Sequence, residues 1–137
     1  MTPRYHLDAN VVLRFLRNDD SRQSPAAAKL FASAKAGRSQ LVISAVTVAE
    51  VFYVLNRVYK HSRPDAASKL IPFVHSDLIE VEHRKRILDS LHRVATSNVD
   101  FGDGYLASTA AERGDRVSSF DGDLKVFTDI VTVVPSE

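Results

Sequence analysis

Four acidic residues stand at points of the sequence where a carboxylate can take part in chemistry. Asp8 and Asp121 each directly follow a short predicted strand. Asp103 lies near the start of a helical segment, and Glu50 interrupts an apolar one. Carboxylates gathered in one place resist ionising together unless a cation neutralises them, and Mg²⁺ and Mn²⁺ prefer oxygen ligands. If the fold gathers these side chains, we expect a site for such a cation, which would activate water and polarise phosphate.

Each acid taken alone also has a purely local interpretation. Aspartate is a preferred helix cap, so Asp8 is a candidate cap for the helix that follows it. Asp100 and Asp103 straddle a helix start, where one acid caps the helix and the helix dipole favours the other. Asp121 and Asp123 flank a glycine, a pattern that fits a tight turn or the cap of a helical turn. These alternatives stay open for the single residues, whereas the set as a whole favours a common site.

Glu50 lies in the apolar segment Val46–Leu55, which predicts a largely buried helix. Acidic side chains are rarely buried unless they are paired or bound to a metal. The alternative is an ion pair with Arg57 along a narrow solvent-facing stripe of the helix. Arg57 lies two helical turns away, however, which is beyond the usual spacing for such a pair. The burial expected for Glu50 therefore favours a functional role.

Strand and helix patterns alternate along the chain. Short apolar runs predict five strands, at Arg4–Leu7, Leu41–Ile43, Leu78–Val81, Val117–Phe120 and Ile130–Val134. Helical spacing predicts segments at Asn10–Arg17, Ser24 to near Gly37, Ala45–Tyr59, Pro64–His75, His83–Ala95 and Asp103–Arg113, and a helical turn at Leu124–Phe127. Ser24 is the expected cap of the second helix, with Pro25 at its first position. The alternation predicts an α/β fold with a mostly parallel sheet covered on both faces, in which ligands bind at the carboxyl ends of the strands.

The composition limits the classes of protein to which this chain can belong. With 137 residues, we expect a single domain spanning residues 1–137. The chain has no cysteine, which excludes disulfides and thiolate metal sites and fits a cytoplasmic protein. We see neither a signal peptide nor a membrane span. The net charge is only +1, so any contact with nucleic acid must come from a local patch and not from bulk attraction.

Basic and histidine residues offer weaker signals. The run Arg84-Lys85-Arg86, together with Arg14, is a candidate for gripping phosphates, although such a run is more often a solvated helix face. The five histidines form no metal motif. Two of them acting as acid and base would instead support metal-free RNA cleavage, with a 2′,3′-cyclic phosphate as product.

The acidic motifs, taken in order, resemble those of PIN-domain ribonucleases, especially toxins of the VapC type. Each motif is short, but their order, types and spacing agree over nearly the whole chain. The matching segments are Leu7-Asp8-Ala9-Asn10-Val11-Val12, Ala49-Glu50-Val51, Asp100-Phe101-Gly102-Asp103 and Ser119-Phe120-Asp121-Gly122-Asp123. In this family Asp103 is usually followed by alanine, whereas this chain has Gly104, which we expect to weaken the helix start by about 1 kcal/mol.

The resemblance implies a three-layer α/β/α sandwich and hydrolysis of single-stranded or looped RNA with Mg²⁺ or Mn²⁺. The residues that it implies as metal-binding and catalytic are Asp8, Glu50, Asp103 and Asp121, with Asp123 as a helper and Asn10 and Ser119 orienting them. It also implies a homodimer, inhibition by a small antitoxin of the VapB type, and structured targets such as transfer RNA. A PIN-like module that binds RNA or protein without cutting is the alternative.

On this interpretation, the metal bound by Asp8, Asp103 and Asp121 lowers the pKa of a water molecule that attacks phosphorus in line. Glu50 either ligates a metal or accepts the proton of that water. The product then carries a 5′-phosphate, and the 2′-hydroxyl is not the nucleophile.

Overall fold

The computed structural model describes residues 2–136, and the strands within that range pair in parallel. β1 (Arg4–His6) pairs with β2 (Gln40–Ile43), which pairs in turn with β3 (Ile79–Val81). β4 (Val117–Ser118) and β5 (Thr132–Val133) form a second sheet. The predicted α/β class with parallel strands is confirmed. The strands nevertheless form two sheets and not one central sheet, because β4 and β5 are two residues long and offer few backbone groups for further pairing.

Helices occupy the connections between the strands. Their bounds are α1 (Ala9–Arg17), α2 (Gln23–Lys35), α3 (Ala45–Tyr53), α4 (Arg63–His75), α5 (Arg84–Ser97) and α6 (Phe101–Arg113), with a 3₁₀ helix at Gly122–Val126. α4 packs on α5, and α5 packs on α6. Gly114 ends α6 in the left-handed conformation, with φ of 69°, as the sequence predicts for a glycine after a helix. In the described part of the chain, no helix is long and apolar enough to cross a membrane.

The core lies between β2 and the helices packed around it. Leu41 and Ile43 of β2 are almost fully buried, as are Val48 and Phe52 of α3. Because β2 lies between β1 and β3, the two neighbouring strands and the residues that follow them are held in fixed positions by the core. Asp8 comes two residues after the end of β1, separated from it by Leu7, which is itself buried.

The start of α2 differs from the prediction. Ser24 is the second residue of the helix and not its cap. Its buried hydroxyl donates a hydrogen bond to the Arg14 carbonyl at 2.7 Å and accepts one from the Asp20 amide at 3.2 Å. The Asp20 carboxylate instead accepts bonds from the amides of Arg22 and Gln23, at 2.9 and 2.6 Å. An aspartate four residues earlier thus performs the capping expected of Ser24.

The third helix was predicted to run without a break to Tyr59, but its geometry changes at Val54. Regular α3 ends at Tyr53, and a π-helical turn spans Val54–Val58. The wider turn is closed by the Tyr59 amide, which donates to the Val54 carbonyl at 3.1 Å. Such turns are frequent near functional sites, and this one begins four residues after Glu50.

Candidate metal centre

Three aspartates from two segments lie close together. Each of Asp103, Asp121 and Asp123 offers a carboxylate oxygen within 4.8 Å of the others. Asp103 is in the first turn of α6 and half-buried, whereas Asp121 and Asp123 are exposed and lie at the start of the 3₁₀ helix. Within residues 2–136, this is the only group of three potential ligands that comes so close. We call these three residues the acidic triad.

Local hydrogen bonds hold the loop that carries two members of the triad. The Ser119 amide donates to the Val133 carbonyl at 3.0 Å, which ties the loop to β5. The Ser119 hydroxyl accepts a bond from the Asp121 amide at 2.9 Å. Asp121 Oδ1 in turn accepts a bond from the Asp123 amide at 2.9 Å, so Asp121 caps the 3₁₀ helix. Asp121 can therefore cap the 3₁₀ helix and also belong to the triad, since a carboxylate has several acceptor positions.

The electrostatics of the triad are unfavourable in the absence of a cation. Burial raises the pKa of Asp103, and the negative charges of Asp100, Asp121 and Asp123 raise it further, while Arg63 opposes them. Burial and the neighbouring negative charges both disfavour the ionised form of Asp103. A divalent cation among the three carboxylates would remove the repulsion, so the donor set fits an oxygen-preferring ion such as Mg²⁺ or Mn²⁺.

Asp8 and Glu50 lie together, but outside the triad. Both line a cleft of about 360 Å³, which Asn10 and Tyr53 also border. Asp8 occupies the capping position of α1, yet its side chain makes no capping hydrogen bond. The side-chain capping bond expected on the local interpretation of Asp8 is therefore not formed, and Asp8 and Glu50 both line the cleft.

The expected burial of Glu50 is wrong. Its side chain is exposed, and Val46, one turn earlier on the same helix, is 68% exposed. Neighbouring elements do not cover this face of α3, although it also carries the apolar Val46. The alternative ion pair between Glu50 and Arg57 is not formed either, because Arg57 lies 3.9 Å from Asp100 and stacks over the ring of Tyr53 at 4.7 Å.

The sequence as a whole matches a known family. A sequence model of the PIN domain matches residues 5–129, which includes all the acids described above. The chain belongs to the PIN domain family. PIN domains are generally nucleases that act on RNA, and they typically bind a divalent metal. No curated protein matches this PIN domain.

Sequence reasoning missed Tyr53, which lies beside acidic residues of this PIN domain. Its side chain borders the cleft of Asp8 and Glu50 and also lies beside Asp100. Burial raises the pKa of Tyr53, and the neighbouring carboxylate of Asp100 raises it further. A signal was present in the sequence, since Tyr53 follows Glu50 by three residues and so shares its helix face.

Asp100 does not act as the conventional cap that its position suggests. It occupies the capping position of α6, but its side chain makes no capping bond, and its Oδ1 is buried without a hydrogen-bond partner. Tyr53 lies close to the first turn of α6, because a Cβ added at Gly102 would lie 3.2 Å from the tyrosine hydroxyl oxygen. The small residue at position 102 therefore leaves room for Tyr53 between α3 and α6.

Most of the candidate phosphate-binding residues already have partners within the protein. Arg84 donates to the carbonyls of Ser76 and Ile79. Arg86 donates to Glu112 at 2.9 Å, and Arg14 donates to Gln23 at 2.7 Å. Lys85 is exposed. The three arginines therefore have structural roles in the fold. A phosphate-binding role for these arginines and Lys85 stays a prediction.

Proposed function

We propose that this PIN domain is a metal-dependent endoribonuclease that uses Mg²⁺ or Mn²⁺. The observation that carries the proposal is the approach of the carboxylates of Asp103, Asp121 and Asp123 to within 4.8 Å of one another. These three residues would hold an oxygen-preferring divalent ion such as Mg²⁺. Asp121 and Asp123 are exposed, so their side chains can adjust their positions to an ion.

We assign Asp8 and Glu50, which lie outside the triad, to the same proposed site. The carboxylate of Asp8 makes no capping bond, and Asp8 and Glu50 are exposed residues that line one cleft, so both are accessible to a substrate or an ion. A divalent ion supplies positive charge that polarises phosphate and favours ionisation of water. Glu50, being exposed, can ligate an ion or accept a proton from the attacking water. Asn10 borders the same cleft, and we assign it the role of orienting Asp8.

We also propose the narrower biological role of a VapC-type toxin of a toxin–antitoxin pair. Its support is the ordered set of acidic motifs, which resembles such toxins over nearly the whole chain. On this proposal the protein forms a homodimer, a small VapB-type antitoxin inhibits it, and its substrate is structured RNA such as transfer RNA.

The test is RNA cleavage by the unmodified protein and by Asp103→Asn, with Mn²⁺ and with a chelator. Asp77→Asn is the matched control, because Asp77 is exposed in the turn before β3. We expect the chelator to abolish cleavage and Asp103→Asn to reduce it at least about 100-fold, since losing even an indirect contact to a metal site costs about 10- to 100-fold. Asp77→Asn should cleave like the unmodified protein.

The chemical nature of the product separates this mechanism from the alternatives. A 5′-phosphate product agrees with attack by water, whereas a 2′,3′-cyclic phosphate formed in the presence of chelator would favour a histidine-based enzyme. Equal cleavage by the unmodified protein and by Asp103→Asn would refute the assignment of the site. RNA binding without any cleavage would favour a catalytically silent module.

A further inference from the structure

Phe120 is much more exposed than the other phenylalanines of this chain. The sequence has seven phenylalanines, and the other six are buried or half-buried. Phe120 is 81% exposed, more than any other large apolar side chain within residues 2–136. Single exposed apolar residues are common on protein surfaces. Phe120 is informative because it directly precedes Asp121 of the triad in the sequence.

Phe120 lies directly between a residue that holds the triad loop and a member of the triad. Its predecessor Ser119 is bonded to β5 through its amide, and its hydroxyl accepts the Asp121 amide. Its successor Asp121 caps the 3₁₀ helix. Consecutive Cα atoms are about 3.8 Å apart, so the ring is attached one residue from a carboxylate of the triad. Since both neighbours are fixed, little backbone entropy is lost when the ring binds a ligand.

The charges around the acidic triad favour a contact with RNA that does not depend on charge. The chain carries a net charge of only +1, and the residues next to Phe120 include Asp121 and Asp123. Three of the four basic candidates, Arg14, Arg84 and Arg86, are engaged by protein partners. Electrostatic attraction alone is therefore a weak source of affinity for RNA here. Aromatic rings bind unpaired bases by stacking, which does not depend on attracting phosphate and tolerates any base sequence.

We propose that Phe120 is a stacking platform for an unpaired base of the RNA strand whose phosphate lies at the acidic triad. The inference rests on the proposed nuclease function and names how its substrate is held. A base in a duplex is already stacked and paired, so the platform selects single-stranded or looped RNA. The ring contacts the substrate and not the reacting atoms, so it contributes to binding and not to the chemical step.

Tryptophan fluorescence tests the stacking directly. The chain has no tryptophan, so Phe120→Trp introduces a single reporter. Leu78→Trp is the control, because Leu78 is also exposed, at 38%, but precedes β3, at the end of that parallel sheet opposite to Asp8. Both are made in an Asp103→Asn background to prevent cleavage. The probe is a single-stranded RNA of about 12 nucleotides, within the size that such sites cover, and the same strand annealed into a duplex.

We expect the single strand to quench the fluorescence of Phe120→Trp, the duplex to quench it much less, and neither to quench Leu78→Trp. Equal quenching of both variants, or no quenching of Phe120→Trp, would overturn the proposal. This measurement does not require activity. It therefore tests the platform even if the unmodified protein cuts no RNA, a result that would count against the proposed function instead.

Cleavage kinetics provide the second test. Phe120→Ala should raise KM about tenfold while kcat stays unchanged, in line with measured losses for base–aromatic stacking. Phe120→Tyr should restore KM, since it keeps the ring. The slope of log affinity against log salt should be the same for Phe120→Ala as for the unmodified chain, because no phosphate contact is removed.

Two results of these experiments would contradict the platform. One is an unchanged KM in Phe120→Ala. The other is a loss of self-association or of binding to a protein partner in Phe120→Ala while RNA binding is retained, which would make the exposed ring a protein contact.

Discussion

Asp103 experiences two opposing electrostatic effects at the start of α6. The positive end of the helix dipole favours a carboxylate in the first turn. Burial and the charges of Asp100, Asp121 and Asp123 nevertheless raise the pKa of Asp103 above its usual value of 3.8. A group with a perturbed pKa beside other carboxylates is typical of a functional site, where the conflict is resolved by a bound ligand. In this PIN domain the ligand that would resolve it is a cation.

The raised pKa of Asp103 predicts how the stability of the metal-free protein depends on pH. Between the unfolded and the folded pKa values, the folded state binds more protons than the unfolded chain, so the free energy of unfolding falls as pH rises. The stability linked to Asp103 is therefore fully present below pH 3.8 and is lost as pH rises through the higher, folded pKa. Asp103→Asn should remove this fall and be the more stable protein at neutral pH.

The measurement is urea unfolding in chelator from about pH 4 to 7, a range that covers a raised carboxyl pKa. Asp77→Asn again serves as the control, and its pH dependence should match that of the unmodified chain. The same slope of stability against pH in all three proteins would mean that Asp103 does not carry the electrostatic conflict.

At the residue scale, the sequence identified the acids but not the environment of each. Asp8 and Asp100 both occupy capping positions and yet do not cap, while Asp121 caps and also belongs to the triad. The choice between these roles depends on side-chain rotamers and on neighbours such as Tyr53, which lie far from the acid in sequence. Residue type and spacing carry no information about such contacts.

At the scale of elements, Gly104 allows the close packing of α6 against α5. It is buried, and a Cβ at this position would lie 2.9 Å from the Ser90 carbonyl oxygen and 3.2 Å from Val94 Cγ2. We expected Gly104 only to weaken the start of α6. The structure gives it a packing role, because α5 occupies the space that an alanine would need.

Gly104→Ala should therefore destabilise the protein although alanine is the better helix former. The gain in helix propensity is about 1 kcal/mol, whereas overpacking against a backbone atom costs about 1–3 kcal/mol. We expect a net loss of about 1 kcal/mol in the free energy of unfolding, measured by urea denaturation. Gly122→Ala is the control, since a Cβ added at Gly122 would have no other atom within 4 Å, and it should lose no stability. A more stable Gly104→Ala variant would show that the helices can separate at little cost.

The order and kind of most elements could be predicted because periodicity and end signals are local. Gly114 ends α6 as predicted, and α4 begins within one residue of the predicted Pro64. The face of α3 that carries Glu50 and Val46 was misjudged, because an apolar pattern does not reveal whether another element covers it. The π-helical turn at Val54–Val58 and the division of the strands into two sheets also depend on tertiary packing.

At the scale of the whole molecule, the candidate site joins segments from both ends of the chain. The triad combines α6 with the loop after β4, and the cleft of Asp8 and Glu50 combines α1 with α3. Tyr53 borders the cleft and lies beside Asp100, which precedes Asp103 of the triad by three residues. A parallel α/β fold places residues after its strands at one edge, and we propose that the two groups act there as one site. The metal-dependent function requires that an ion be held where these acids meet.

The most direct test is a crystal structure of the protein soaked in Mn²⁺, with the anomalous signal used to locate the ion. We predict a peak about 2.1 Å from carboxylate oxygens of Asp103, Asp121 and Asp123, and no such peak in Asp103→Asn. An ion bound elsewhere, with the three carboxylates still apart, would contradict the central claim, as would a peak that persists unchanged in Asp103→Asn.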